Sequence, residues 1–216
     1  MPMLRFIPGF RPDATVLCLG AHCDDIEIGC AGALVELQQR FPAVNFVWVV
    51  FSSDEEREAE TRAAAAKLLD SERCRLEFHR FRGSYLPSQA VDVKDAFESL
   101  KSRIAPDLIF THFLADRHQD HRVVGELTWN TFRNHAVLEY EIPKFEGDLA
   151  HPGVYVPLSE ATLDRKIAAL MECFPSQRSR TWFDADLFKG HMRVRGMECN
   201  APSRYAEAFH ARKLTL

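Results

Sequence analysis

The sequence predicts an α/β fold of three layers, Rossmann-like, with a mainly parallel central sheet and a C-terminal appendage. Two observations lead there. Strand-like and helix-like stretches alternate from residue 15 to residue 142, the pattern of strands joined by crossover helices. The strand-like runs are continuously apolar, as strands covered on both faces are.

In chain order, Thr15-Val16-Leu17-Cys18-Leu19 reads as a buried strand running into Gly20-Ala21. A helix is expected over 29–39, with Leu34 and Leu37 among small residues, and a second buried strand over 45–51. Ser52-Ser53-Asp54 looks like a helix start, since Asp54, Glu55 and Glu56 suit the positive end of a helix dipole. Ala-rich 63–69 continues that helix. Strands are expected at 76–81, 107–112 and 137–142, and helices at 91–104 (stopped by Pro106) and 120–133. Beyond Pro143 only a helix over 160–173 is legible, between Pro152, Pro157, Pro175 and Pro202. One domain spanning 1–216 is expected, long enough to bury a core without disulfides.

Composition narrows the function classes. Hydrophobic residues make up 46% and charged residues 27%, an ordinary globular balance. A net charge of -4 and the lack of a Lys/Arg run give no support to a nucleic-acid partner. No stretch approaches the ~20 apolar residues of a membrane helix. The N-terminal residues do not read as a signal peptide. The cysteines at 18, 23, 30, 74, 173 and 199 form no CxxC pair and read as reduced thiols. A cytoplasmic protein without integral membrane association is expected, and a homo-oligomer stays open.

Two clusters carry chemistry. Gly20-Ala21-His22-Cys23-Asp24-Asp25 follows the first strand, and His112 through His121 (with Asp116, His118 and Asp120) follows the fourth. Ligands of open α/β sheets sit at the carboxyl ends of strands, so both loops point to one site. Imidazoles plus a carboxylate suit a catalytic zinc with an open position, whose water has a pKa of ~7. A further carboxylate can take the proton, and Asp24-Asp25 offers one of each without saying which is which. His112 ends its strand and could touch the site, although a structural role is favoured; His79, His135, His151, His191 and His210 are expected to be structural. Gly20, Gly29 and Gly32 lack dinucleotide spacing. No His precedes an Asp directly, which excludes phosphohydrolases built on that doublet. A Cys23 nucleophile is disfavoured by its acidic surroundings.

The stretch AHCDDIEIGCAG (21–32) resembles the AHPDDxxxGxGG signature of LmbE-like or PIG-L zinc deacetylases. Pro106 to His112, followed by Asp116, His118, Asp120 and His121, resembles their second motif. Ser176-Gln177, Arg195-Gly196 and Tyr205 to Phe209 resemble later landmarks. The resemblance implies zinc ligands His22, Asp25 and His121, a general base at Asp24, and His118 as the group meeting the oxyanion or leaving amine. It also implies that Asp120 orients His118 and that Arg57 contacts a sugar, although Arg57 and Glu60 also suit a solvated i,i+3 pair. Cys23 and Ala31 replace a proline and a glycine of the signature, and neither is a ligand. The implied reaction is removal of an acetyl group from an N-acetylated sugar. A zinc amidase for non-sugar acetamides and an inactive metal-containing carbohydrate-binding module are the alternatives; intact Asp24 and His118 speak against the latter.

Overall fold

The computed structural model describes residues 11–213. A seven-stranded sheet has the order β3-β2-β1-β4-β5-β7-β6. Its strands are β1 (Thr15–His22), β2 (Asn45–Ser52), β3 (Cys74–Phe78), β4 (Leu108–His112), β5 (Ala136–Tyr140), β6 (Val154–Pro157) and β7 (Ala206–Ala211). The first five pair in parallel, while β7 runs antiparallel to both β5 and β6. Helices α1 (Asp25–Gly29), α2 (Ala31–Arg40), α3 (Glu55–Leu68), α4 (Ala90–Arg103), α5 (Gln119–Thr131), α6 (Glu160–Cys173) and α7 (Ala185–Glu198) complete the fold.

The pleat sorts each strand's side chains between two cores. Val16 and Cys18 of β1 join α2, α3 and α6 residues such as Leu34, Leu68 and Leu170 on one face. Leu17 and Leu19 join Phe97 of α4 and Val124 of α5 on the other. The three-layer α/β fold predicted from the alternation is therefore present, with its sheet mostly parallel. α3 begins where expected, since Asp54 Oδ1 accepts the Arg57 N–H at 2.9 Å.

Several boundaries differ. The expected helix over 29–39 is preceded by a separate turn, α1, and the two are divided at Cys30 (φ -146°). Gly29 lets Tyr140 lie against this junction, because a Cβ there would meet the Tyr140 ring at 2.2 Å. The expected strand at 76–81 lies earlier, at Cys74–Phe78. The C-terminal appendage is woven into the sheet: β7 pairs with β5 and carries β6 at the edge. From β7, Glu207 accepts the Gly32 and Ala33 N–H groups at 2.8 and 2.7 Å, capping α2. Lys166 of α6 donates to Glu207 Oε1 and to the Ile28 carbonyl, at 2.5 and 2.6 Å. The C-terminal third thus holds α1–α2 in place behind the first His/Asp loop.

Candidate metal and acyl-transfer site

β1 ends on His22 and β4 on His112, so both loops leave one edge of adjacent strands. Between His22 and α1, Asp24 takes a left-handed backbone, φ 107°. A non-glycine residue there is strained, at about 1–3 kcal/mol. The turn gives the two neighbouring carboxylates different partners.

Asp25 turns towards the histidines. Its Oδ2 accepts the His22 N–H at 2.7 Å and lies 3.4 Å from His22 Nδ1 and 3.2 Å from His112 Nε2. Its Oδ1 lies 3.4 Å from His121 Nε2. Burial opposes its charge, yet the His121 and His112 imidazoles hold the carboxyl well below the usual range. The far nitrogen of each flanking ring meets its own carboxylate. His22 Nε2 pairs with Asp120 Oδ2 at 3.0 Å, and His121 Nδ1 pairs with Asp116 Oδ2 at 3.0 Å. Such partners fix tautomer and ring orientation, leaving His22 Nδ1 and His121 Nε2 as lone-pair donors beside Asp25. Burial disfavours a charged His22, but Asp120 and Asp25 outweigh it and raise that imidazole to about 10. A cation bound between these donors would displace the proton.

This donor set of two nitrogens and a carboxylate fits a divalent metal. Two groups of donor atoms lie within 4.8 Å of one another, His22 with His118 and His121, and Asp25 with His112 and His121. In these wider groups, His118 Nδ1 already accepts the Asp120 N–H at 3.2 Å, and His112 Nε2 accepts the Ala21 N–H at 3.0 Å. Those lone pairs are engaged, so the donors left open across the two groups are those of His22, Asp25 and His121.

Asp24 engages α3. Its Oδ2 accepts from Arg57 Nη2 at 2.7 Å. Burial dominates its ionisation and, with Asp25 nearby, raises the carboxyl to about 7 against the pull of Arg57 and His22. Arg57 also donates to the Cys23 carbonyl, to Glu60 Oε2 at 2.6 Å and to Ser176 Oγ at 2.9 Å. The helical spacing does pair Arg57 with Glu60, but the pair is walled in, with the Arg57 side chain 16% exposed. Arg57 therefore faces Asp24, and a sugar is not needed to satisfy its guanidinium.

His118 caps α5, and its ring centroid lies 4.4 Å from that of His121 and 5.0 Å from that of His22. Burial, then the neighbouring imidazoles, lowers its pKa. Because Nδ1 accepts a backbone N–H, the proton of the neutral ring sits on Nε2. The Asp120 carboxylate does not reach His118 as expected. It is taken by His22 and by the Ser84 and Leu86 N–H groups at 2.5 and 3.1 Å, so Asp120 orients His118 through its own backbone N–H.

Three residues without an assigned role in the sequence reading also stand here. His112 is fully buried, stacks on His121 at 4.0 Å and lies 3.2 Å from Tyr140 Oη; its place at a strand end was the available signal. Asp116 is held by Lys144 Nζ at 2.7 Å, and Lys144 also reaches Asp148 at 2.8 Å. Nothing in local spacing links Lys144 to Asp116.

Residues 17–132 match the PIG-L family, described as GlcNAc-PI de-N-acetylase. The chain belongs to the PIG-L family. Its enzyme class follows: it is an N-deacetylase, a hydrolase. The chain is similar to the uncharacterized deacetylase YaiS of Escherichia coli (strain K12). It is 31% identical over 169 residues, covering 72% of this chain and 88% of that one. Two solved structures share the fold at low identity. The N,N'-diacetylchitobiose deacetylase of Pyrococcus horikoshii aligns with TM-score 0.65 and 19% identity, over 92% of this chain and 83% of its own. GalB, the 4-carboxy-2-hydroxymuconate hydratase of Pseudomonas putida KT2440, aligns with TM-score 0.72 and 17% identity, over 94% and 98%. One fold thus serves a deacetylase and a hydratase, so the PIG-L assignment rests on sequence and the chemistry on the site.

Proposed function

We propose that this chain hydrolyses the acetamide of an N-acetylated amino sugar, with zinc held by His22, Asp25 and His121. The observation that carries the reading is the pair of imidazoles, each turned by its own carboxylate so that its free nitrogen faces Asp25. When bound, zinc would acidify a water and polarise the acetamide carbonyl.

The protein's own residues supply the remainder. Asp24, raised to about 7 by burial, is poised to accept a proton from the attacking water near neutral pH. Arg57 fixes the position of that carboxylate. His118 Nε2–H donates to the oxygen that gains charge as water adds to the carbonyl carbon. The C–N bond then breaks, Asp24 returns its proton to the departing amine, and acetate remains. A binding module would have no use for this base and donor.

The sugar assignment draws on the family's description as GlcNAc-PI de-N-acetylase and on the chitobiose deacetylase that shares this fold. We place the protein in the cytoplasm: all six cysteines are free, as in a reducing compartment. No helix among the described residues is long and apolar enough to cross a membrane. Zinc-loaded protein incubated with acetamido sugars, free, nucleotide-linked and lipid-linked, is expected to release acetate from at least one. Acetate from acetylated amino acids or polyamines alone would make the enzyme a non-sugar amidase.

A further inference from the structure

The segment joining β3 to α4 forms a lip over the site. Ser84 N and Leu86 N both donate to Asp120, whose Oδ2 also pairs with His22. Gln119 Nε2 donates to the Ser84 carbonyl at 2.7 Å. A Cβ on Gly83 would crowd Ser52 Oγ at 2.8 Å and lie 3.8 Å from His22 Cδ2, so this backbone runs close beside the site. The lip is also fixed from behind. The Gln89 carboxamide accepts the Arg82 N–H at 3.1 Å and donates to the Arg82 and Tyr85 carbonyls at 3.0 and 3.1 Å. Ser88 Oγ donates to the Tyr85 carbonyl at 2.8 Å.

This rigid segment presents Arg82, whose guanidinium carbon lies 3.7 Å from the centre of the Tyr85 ring. Arg82 is exposed, and Tyr85 is 47% exposed. Among the described residues, the Arg82 guanidinium has no carboxylate partner and donates no hydrogen bond. Nearby arginines differ: Arg80 closes on Glu58 at 2.8 Å and Arg103 on Glu77 at 2.9 Å. In a chain of net charge -4, this guanidinium has its fork unused and is stacked on an aromatic face, and the next residue, Gly83, runs beside His22.

We propose that Arg82, held on Tyr85, receives an anionic substituent of the substrate, a phosphate or carboxylate on the acetamido sugar or on the unit attached to it. The proposal rests on the sugar-deacetylase reading and adds a charge class to it. The aromatic stack fixes the guanidinium plane in advance, so little side-chain freedom is lost on binding.

The test compares acetate release from a neutral methyl glycoside of N-acetylglucosamine, from N-acetylglucosamine 1-phosphate, and from the carboxylate-bearing N-acetylmuramic acid. The wild type is expected to favour one anionic substrate in kcat/KM by about 10- to 100-fold. Whichever arm is favoured identifies phosphate or carboxylate as the source. Arg82→Gln should abolish the preference, chiefly through KM, and Arg82→Lys should restore part of it. Arg80→Gln, a neighbouring surface arginine, should leave the preference intact. Equal treatment of neutral and charged sugars by the wild type, or an equal loss on both in Arg82→Gln, overturns the proposal while the sugar reading stands. Calorimetric binding of the same compounds to Asp24→Asn protein separates the two claims. Arg82-dependent binding of an anionic sugar with no acetate from any sugar would sink the deacetylation reading and keep the anion site.

Discussion

Arg57 Nη2 donates to Asp24 Oδ2 at 2.7 Å, joining the first turn of α3 to the left-handed residue between β1 and α1. The same guanidinium grips Glu60 and Ser176, so the Asp24 carboxylate is aimed by a network spanning three parts of the chain. Loss of that aim acts on the chemical step. Arg57→Gln should lower kcat by about 10²-fold, the effect of a misplaced reacting group, with little change in KM. A raised KM at parental kcat would instead make Arg57 a ground-state substrate contact.

Asp24→Asn preserves side-chain shape and removes the proton acceptor. kcat should fall by a factor on the order of 10²–10⁴, with metal content near that of the wild type. Turnover equal to the wild type would remove Asp24 from the mechanism.

Asp116 aims His121, and Lys144 secures Asp116. Asp116→Asn should weaken metal affinity by about 10- to 100-fold, the usual effect of losing a carboxylate behind a metal-binding imidazole. Chelator competition measures it. Unchanged affinity would reduce Asp116 to a structural contact.

Much of this was legible in the chain. The strands β1, β2 and β4 carry unbroken apolar runs because both faces are covered, so their residues announce them. The doublet at 24–25 and the His/Asp loop at 112–121 leave adjacent strands, and short spacing kept their functional residues together. What failed was what depends on distant packing. β7 buries Glu207 among alanines, which hides its alternation, and β6 is a partly exposed four-residue edge strand. Four residues of α7 are buried, and two of these are Arg195 and Gly196. The same limit explains Arg57: spacing along α3 revealed Glu60, whereas Asp24 lies 33 residues away.

Glu141 supplies a pH dependence outside the site. Burial opposes its charge, but His191, His210, the Ala150 N–H and Arg195 hold the carboxyl well below its usual 4.5. Arg195 Nη2 lies at 2.6 Å, with its other nitrogen on Glu198. Because the folded pKa is depressed, the stabilisation is complete above about pH 4.5 and is lost as pH falls towards the folded value. Glu141→Gln should cost about 3 kcal/mol or more at pH 7 and flatten the acid side of the stability profile. A thermal-melt series from pH 7 to pH 3 (about the carboxylate range) measures both. An unchanged acid slope would contradict the linkage.

Metal content of single variants tests the central claim most directly, because the neighbouring histidines offer other donor groups. Purified wild type is expected to bind about one zinc per chain. His22→Ala, Asp25→Ala and His121→Ala should each lose most of it, while His118→Ala keeps it and loses kcat. Retention of metal in Asp25→Ala together with its loss in His118→Ala would contradict the account and place the ion among the three histidines instead.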